Sequence, residues 1–112
     1  MDEFAEWFLQ LSANEQVSVG RVVDLLVEHR PSLPFPYSSR IQTSRHGQMR
    51  ELRIQHEGRP YRILYAFDPR RAAILLLGGD KTGDSHWYEI NVPRADSRYD
   101  AYLLELEEES SL

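Results

Sequence analysis

The chain has 112 residues, which is the length of one small domain. With 41% hydrophobic and 28% charged residues it can build a modest core, and its longest apolar run, residues 72–77, is far too short to cross a bilayer. Cysteine is absent, which excludes disulfides, thiolate metal sites and cysteine nucleophiles. The first residues lack the basic and apolar segments of a signal peptide, so we expect a cytoplasmic protein.

Charge is distributed unevenly along the chain, although the net charge is -5. Between residues 40 and 71, eight arginines stand against three acidic residues, whereas residues 1–30 hold six acidic residues and two arginines. The acidic tail, about residues 104–112, carries four glutamates and no cation. Because local potential governs the approach of a polyanion, the basic centre is compatible with nucleic-acid binding despite the acidic total.

Residues 2–30 have helical periodicity and end at a cluster of prolines. Two apolar stripes at helical spacing predict buried faces: Phe4, Phe8 and Leu11, then Val19, Val22, Val23 and Leu26. Ser12, with Glu15 three residues later, fits a capping box, so we predict two helices or one helix broken near residues 12–14. Pro31, Pro34 and Pro36 end the helical region and predict an extended connection.

The middle of the chain predicts an antiparallel meander of three strands. The strands are residues 51–55, residues 61–67 and residues 72–77, joined by turns at residues 57–60 and at Asp68-Pro69. In the second strand, Tyr61, Ile63, Tyr65 and Phe67 lie on one side, with Arg62, Leu64 and Ala66 on the other. We therefore expect an α+β fold with the sheet packed by helices.

The segment after the third strand predicts a loop, a short strand and a helix. We interpret residues 78–84 as a flexible loop and residues 87–92 as a possible fourth strand. Pro93 suits the first turn of a last helix. The buried face of that helix is predicted to contain Ala95, Tyr99, Tyr102, Leu103 and Leu106.

Arginines on adjacent strands are the strongest candidate for chemistry. Arg50 and Arg53 precede a turn and Arg62 follows it, so a hairpin brings them within reach of one another, and Lys81 can add a fourth cation. A guanidinium binds a phosphodiester bidentately, which makes such a group a natural ligand. The alternative is a solvated sheet face in which Glu51, Glu57 and Asp68 neutralise the arginines. Composition alone favours this alternative, because surface charge is common.

The remaining motifs argue against a P-loop and a zinc site and leave the roles of His86, Trp87 and Tyr88 open. The glycines around Lys81 do not have P-loop spacing, because Asp80 precedes the lysine. The spacing of the four histidines matches no zinc pattern, so we expect neither a metal nor a cofactor. His86 can act as an acid or base, or be an exposed loop histidine. Trp87 and Tyr88 can stack on a nucleobase or pack in the core.

Three segments in order resemble the sheet of RelE/HigB-type toxins: residues 49–53 (Met-Arg-Glu-Leu-Arg), residues 61–65 (Tyr-Arg-Ile-Leu-Tyr), and residues 74–77 followed by Lys81-Thr82. The chain is most similar to the phage-derived HigB-like toxins, which share this progression. Those proteins also have a preceding helical pair and a closing helix, so the resemblance covers nearly the whole chain. It implies a single RelE-like toxin domain over residues 1–112.

The resemblance also implies an activity, partners and site residues. Members of the family cut mRNA at the ribosome without a metal, by attack of the 2'-hydroxyl on the adjacent phosphate, and a partner antitoxin silences them. It implies that Arg53 and Arg62 hold the phosphate with help from Lys81, and that His86 or Tyr88 transfers a proton. The residues assigned to RNA contact are Arg50, Arg59 and Trp87. The antitoxin is expected to be a small helix-turn-helix protein.

Two departures and two rival functions go with the resemblance. Family members usually begin with a strand, whereas this chain begins at the helix, so the sheet is expected to lack an edge strand or the true start to lie upstream. Active members are typically basic, so the acidic total is expected to weaken ribosome binding. One rival is a degenerate toxin that only binds a partner. The other is the ParE-like branch, which shares the fold and poisons DNA gyrase.

Overall fold

The computed structural model describes residues 2–110, and its first two helices are separated where the capping box predicted. Helix α1 spans Glu3–Leu9 and helix α2 spans Ala13–His29. The Ser12 hydroxyl accepts a hydrogen bond from the Glu15 amide at 3.2 Å, and the Glu15 carboxylate accepts one from the Ser12 amide at 2.8 Å. These reciprocal bonds satisfy amide groups that a helix start leaves unpaired.

A four-stranded antiparallel sheet forms the middle of the molecule in the order β1-β2-β3-β4. The strands are β1 (Ser38–Arg40), β2 (Arg50–His56), β3 (Arg59–Phe67) and β4 (Ala73–Asp80). The predicted α+β fold and its meander are confirmed. β1 falls in the connection that we predicted only as extended, and it pairs with residues 50–52 at the edge of the sheet.

The sheet separates the core into two hydrophobic clusters, one on each face. Tyr61, Ile63 and Tyr65 of β3 pack with Val19 and Leu26 of α2. The buried residues of the other cluster are Ile41, Met49, Leu64, Ala66, Leu76, Leu77, Trp87, Val92, Ala95 and Tyr99. The predicted alternation along β3 is therefore confirmed, and it places Arg62 on the face that the C-terminal helix covers.

Residues 87–92 form the start of a helix, so the prediction of a strand there is wrong. Helix α3 spans Trp87–Ser110, and Pro93 lies inside it rather than in its first turn. Trp87, Asn91 and Ala95 recur at helical spacing and are all buried, so tertiary packing overrides the strand preference of these aromatic and β-branched residues. The acidic tail continues this helix to Ser110, and residues 111 and 112 lie outside the described part of the chain. None of the helices within residues 2–110 is long and apolar enough to cross a membrane.

The predicted flexible loop at residues 78–84 is also shorter than expected, because β4 continues through Asp80. Gly78 and Gly79 extend the strand between two indole rings. A Cβ at Gly78 would lie 2.3 Å from the Trp7 ring, and one at Gly79 would lie 2.7 Å from the Trp87 nitrogen. These glycines therefore serve close packing on both faces of the sheet rather than loop flexibility.

A hydrogen bond and an ion pair, both to the Glu15 carboxylate, join the start of α2 to the sheet. The Tyr61 hydroxyl donates to the Glu15 carboxylate, and Arg59 Nη2 lies 3.7 Å from the same group. The hydrogen bond from Tyr61, followed by the one from the Ser12 amide, lowers the pKa of Glu15 to about 2. Burial and the bond to Glu15 raise the pKa of Tyr61 to about 12. The folded state therefore favours an ionised Glu15 beside a protonated Tyr61.

We expect Glu15 to make the fold sensitive to acid. Its pKa lies below the ordinary value of 4.5, so its stabilisation is fully present above about pH 4.5 and is lost as the pH falls toward 2. In Glu15→Gln the melting temperature should be lower at neutral pH and should decline less over this range. Thermal unfolding followed by circular dichroism measures both, with Glu28→Gln as the control. Identical pH profiles for wild type and Glu15→Gln would contradict the assignment.

Candidate active site

The hairpin of β2 and β3 places two arginines directly opposite each other. Its two-residue turn, Glu57-Gly58, has positive φ at both positions (50° and 78°), as the tight turns that match strand twist require. In the resulting register Arg53 pairs with Arg62. The predicted convergence of these two guanidinium groups is therefore present in the structure.

A buried carboxylate, Glu51, lies between the two arginines. Its Oε1 is 3.2 Å from Arg62 Nε and its Oε2 is 3.4 Å from Arg53 Nη1. The Ser39 hydroxyl also donates to Oε2 at 2.7 Å. From the sequence, Glu51 is expected only as a surface counter-ion, although its position two residues before Arg53 in a strand puts both side chains on the same face. Because Glu51 is buried and contacts both guanidinium groups, it holds them on the same face of the hairpin.

Tyr88, the second residue of α3, completes this cluster. Its hydroxyl donates to Glu51 Oε1 at 2.6 Å and accepts from Arg62 Nε at 3.2 Å. Burial raises the pKa of Tyr88, the bond to Glu51 raises it further, and Arg62 opposes both effects. The phenol is thus protonated at neutral pH, with its proton bonded to Glu51 and Arg62 on its other side.

Lys81, just after β4, brings a third cation to the cluster. Its ammonium lies 5.7 Å from the centre of the Tyr88 ring, within the range of a cation–π contact. The lysine amide donates to the Pro60 carbonyl at 3.0 Å, which ties this short loop to the start of β3. Glu51 pairs with Arg53 and Arg62, and Lys81 lies over the Tyr88 ring, so the cluster holds three positive charges against one negative charge.

Arg53 and Arg62 also line a cleft of about 450 Å³ between α2 and the open edge of β2. Arg21 of α2 lines the same cleft, although no motif in the sequence points to this residue. Two exposed aromatic residues lie at this edge: Tyr37 lines the cleft, and the Phe35 ring lies 5.2 Å from the Arg53 guanidinium. The cleft thus combines guanidinium groups with exposed aromatic rings.

Arg50 and Arg59 lie away from the cluster. Arg50 is three residues from Arg53, so it points to the other face of β2, where its Nε donates to Ser38 Oγ at 3.0 Å. Arg59 lies over the Tyr61 ring at 5.3 Å, on that same opposite face, and pairs with Asp80 at 3.5 Å. The structure therefore does not bring these two arginines together with Arg53 and Arg62.

Trp87 and His86 also differ from expectation. Trp87 is only 5% exposed and packs in the core against Gly79, so it presents no face for stacking on a base. His86 is exposed, and its Nδ1 lies 3.1 Å from the Glu89 carboxylate on the solvent side of α3. Of the two predicted proton-transfer residues, the structure places Tyr88 beside Arg62 and pairs His86 with a surface carboxylate. Within residues 2–110, no three acidic or histidine side chains converge as metal ligands.

Comparison with known proteins agrees with this architecture. A family model described as "Phage derived protein Gp49-like (DUF891)" matches residues 6–100. The chain is 41% identical over 104 residues to a Mycobacterium tuberculosis protein that carries the toxin name HigB3, covering 92% of this chain and 90% of that protein.

A second Mycobacterium tuberculosis protein, with the toxin name HigB2, is 34% identical over 110 residues. That match covers 96% of this chain and 55% of the relative, so the chain spans about half the length of that protein. No solved structure matches the chain significantly. Because the family model covers most of the chain and the first relative aligns over nearly its whole length, the chain belongs to the Gp49-like, phage-derived family of HigB-like toxins.

Proposed function

We propose that this HigB-like toxin is a metal-independent endoribonuclease that cuts mRNA at the ribosome and thereby stops translation. The observation that carries the proposal is the position of Arg62, whose Nε lies 3.2 Å from both the Tyr88 hydroxyl and Glu51 Oε1. Arg62 is only 5% exposed, so its guanidinium is held rather than mobile. A held cation beside a proton donor suits the chemistry of phosphodiester cleavage.

The proposed reaction is a transesterification within the RNA. The 2'-hydroxyl oxygen attacks the adjacent phosphorus and loses its proton to solvent. The bond from phosphorus to the 5'-oxygen breaks, and Tyr88 turns its hydroxyl from Glu51 Oε1 to give its proton to that leaving oxygen. The products are a 2',3'-cyclic phosphate and a 5'-hydroxyl, and the tyrosinate regains its proton from water. Arg53, Arg62 and Lys81 stabilise the additional negative charge of the pentacoordinate transition state. Glu51 is a positioning residue, because its oxygens are already occupied by Tyr88, Ser39 and the arginines.

RNA contact is assigned to the cleft beside α2. Phe35 and Tyr37 take the stacking role that the sequence suggested for Trp87, since aromatic rings stack on bases in single-stranded RNA. Arg21 supplies a further cation to the same cleft. This arrangement supports binding of a polyanion by a chain whose net charge is negative, because the positive groups are concentrated at one edge of the sheet.

The proposed partner is an antitoxin, in keeping with the toxin names of the relatives. Family membership favours a small helix-turn-helix protein that blocks access to the arginines, and a cytoplasmic setting in which both proteins meet the ribosome. A gyrase inhibitor of the ParE-like branch and a binding module without catalysis remain the alternatives that the next experiment separates.

Induction of the chain without an antitoxin tests the proposal. We expect incorporation of labelled amino acids to stop within minutes while DNA synthesis continues, and primer extension on mRNA to show new 5' ends. Filamentation with DNA damage would instead identify a gyrase inhibitor, and growth without any arrest would identify a binding module.

A Phe35→Ala variant is expected to weaken cleavage without altering the melting temperature.

A further inference from the structure

A second basic cleft, of about 680 Å³, lies beyond the C-terminal end of α2 and is separate from the cleft that holds Arg62. Three arginines line it: Arg30 after α2, Arg50 at the start of β2, and Arg71 in the turn before β4. Asp68 is the one acidic residue among its lining residues. The cleft therefore has an excess of positive charge on the face of β2 opposite to Arg53.

Asp68 does not neutralise these arginines, because its carboxylate is occupied within its own turn. Its side chain is fully buried and accepts hydrogen bonds from the amides of Arg70 and Ala72, both at 2.9 Å, and from the Tyr102 hydroxyl at 2.7 Å. Burial works against its charge, but these bonds outweigh burial and lower the pKa of Asp68.

Within residues 2–110, the three arginines of this cleft form no ion pair, and the side-chain bond of Arg50 goes to a neutral group, the Ser38 hydroxyl. Uncompensated guanidinium groups that line one cleft repel each other unless an anion binds between them. The side-chain environment therefore indicates an anion site.

The backbone gives an independent reason to regard Arg30 and Arg71 as ligand-binding residues. Arg30 has φ 52° and ψ -128°, and Arg71 has φ 65° after a turn closed by its own amide on the Asp68 carbonyl at 2.8 Å. Glycine is the residue that adopts such conformations without steric cost. Both positions instead hold arginine, and both side chains line the same cleft.

We propose that this cleft, lined by Arg30, Arg50 and Arg71, binds a backbone phosphate of the single-stranded RNA whose cleaved phosphate lies at Arg62; the assignment rests on the proposed function. Both clefts border α2, with Arg21 in the first and Arg30 in the second. These two arginines are nine positions apart, which corresponds to a rise of about 14 Å along a helix. A short stretch of extended RNA spans that distance, and the apolar walls Pro31 and Pro69 offer contacts to its sugars.

The test is binding of a short fluorescein-labelled single-stranded RNA, measured by anisotropy at several low salt concentrations. In the double variant Arg30→Gly/Arg71→Gly, we expect Kd to rise at least about tenfold. The slope of log affinity against log salt should fall by about 0.7, the value for one phosphate contact. The melting temperature should not fall, because glycine relieves the backbone at both positions. The control Arg94→Ala/Arg98→Ala removes the same charge from residues that pair with Glu3.

The outcomes separate this inference from the proposed nuclease function. If the glycine variant binds RNA as the control does, the cleft assignment is overturned, whatever the effect on translation. If wild type fails to arrest translation but RNA binding is lost only in the glycine variant, the nuclease proposal fails and the cleft assignment stands. Binding of a polyglutamate peptide but not of RNA by wild type would overturn it in favour of a protein ligand.

Discussion

Replacing Arg62 with lysine is expected to lower the rate of mRNA cleavage at the ribosome at least about a hundredfold, the cost of losing one fixed donor to a developing oxyanion. Lysine keeps the charge but loses the planar fork that contacts Tyr88, Glu51 and the Tyr61 carbonyl at once. Cell-free translation with purified toxin gives the rate of arrest, and primer extension on the same mRNA gives the rate of cleavage.

The same substitution needs a check on folding, because Arg62 and Glu51 are both buried. Removing one partner of a buried ion pair costs about 3–5 kcal/mol when the other charge is left without compensation. Glu51 keeps Arg53, Ser39 and Tyr88 in the variant, so we expect a smaller loss and a folded protein. Arg98→Lys, on the surface of α3, is the matched control. A folded Arg62→Lys variant that arrests translation as quickly as wild type would refute the site assignment.

Gly78→Ala is expected to reduce the free energy of unfolding by about 3 kcal/mol, the upper part of the range for overpacking a core. The added methyl group would lie 2.3, 2.4 and 2.8 Å from three atoms of the Trp7 ring. Trp7 is a residue of α1, and α1 packs on β4, so relief requires α1 to move away from the sheet. Urea denaturation followed by tryptophan fluorescence measures the loss, and a shift of the native spectrum would report the displaced indole.

Gly20→Ala provides the contrasting substitution. Gly20 lies inside α2 with no atom within 4 Å of an added Cβ, apart from the local backbone. The same chemical change there should raise the free energy of unfolding by roughly 0.5–1 kcal/mol, because alanine is the better helix former. Equal stability of wild type and Gly78→Ala would show that Trp7 does not pack on Gly78 in solution.

Patterns that depend on local chemistry predicted most of the fold. The Ser12 and Glu15 capping box marked the boundary between two helices, and alternation along residues 61–67 assigned each side chain to the correct face. Each signal worked because the deciding interactions lie within a few residues or follow from the strand period.

The errors in the fold come from tertiary packing. Residues 87–92 have strand-forming side chains, yet they form a helix because Trp87, Asn91 and Ala95 are buried together at helical spacing. The glycines at 78 and 79 suggested a loop, but two rings from distant parts of the chain require them in a strand. β1 has only three residues, too few for a periodic signal.

The sequence predicted that Arg53 and Arg62 lie together in the candidate site, but not which other side chains surround them. Arg53 and Arg62 were correctly brought together by the hairpin, whereas simple parity along β2 would have separated Arg50 from them. Glu51 and Tyr88 acquire their roles from the packing of α3 on the sheet, and Arg21 from the packing of α2 beside β2. No local pattern in the sequence encodes those distances.

The packing of Trp7 and Trp87 on neighbouring glycines has a consequence for the cooperativity of unfolding. The N-terminal helices and the C-terminal helix lie on opposite faces, an arrangement that often lets one layer detach while the other persists. Here Trp7 packs on Gly78 and Trp87 packs on Gly79, which are adjacent residues of β4. If either ring moves away, this part of the strand loses its packing on one face, and the contact of the other ring is weakened. Both layers are therefore expected to melt in a single cooperative transition, without a half-folded species.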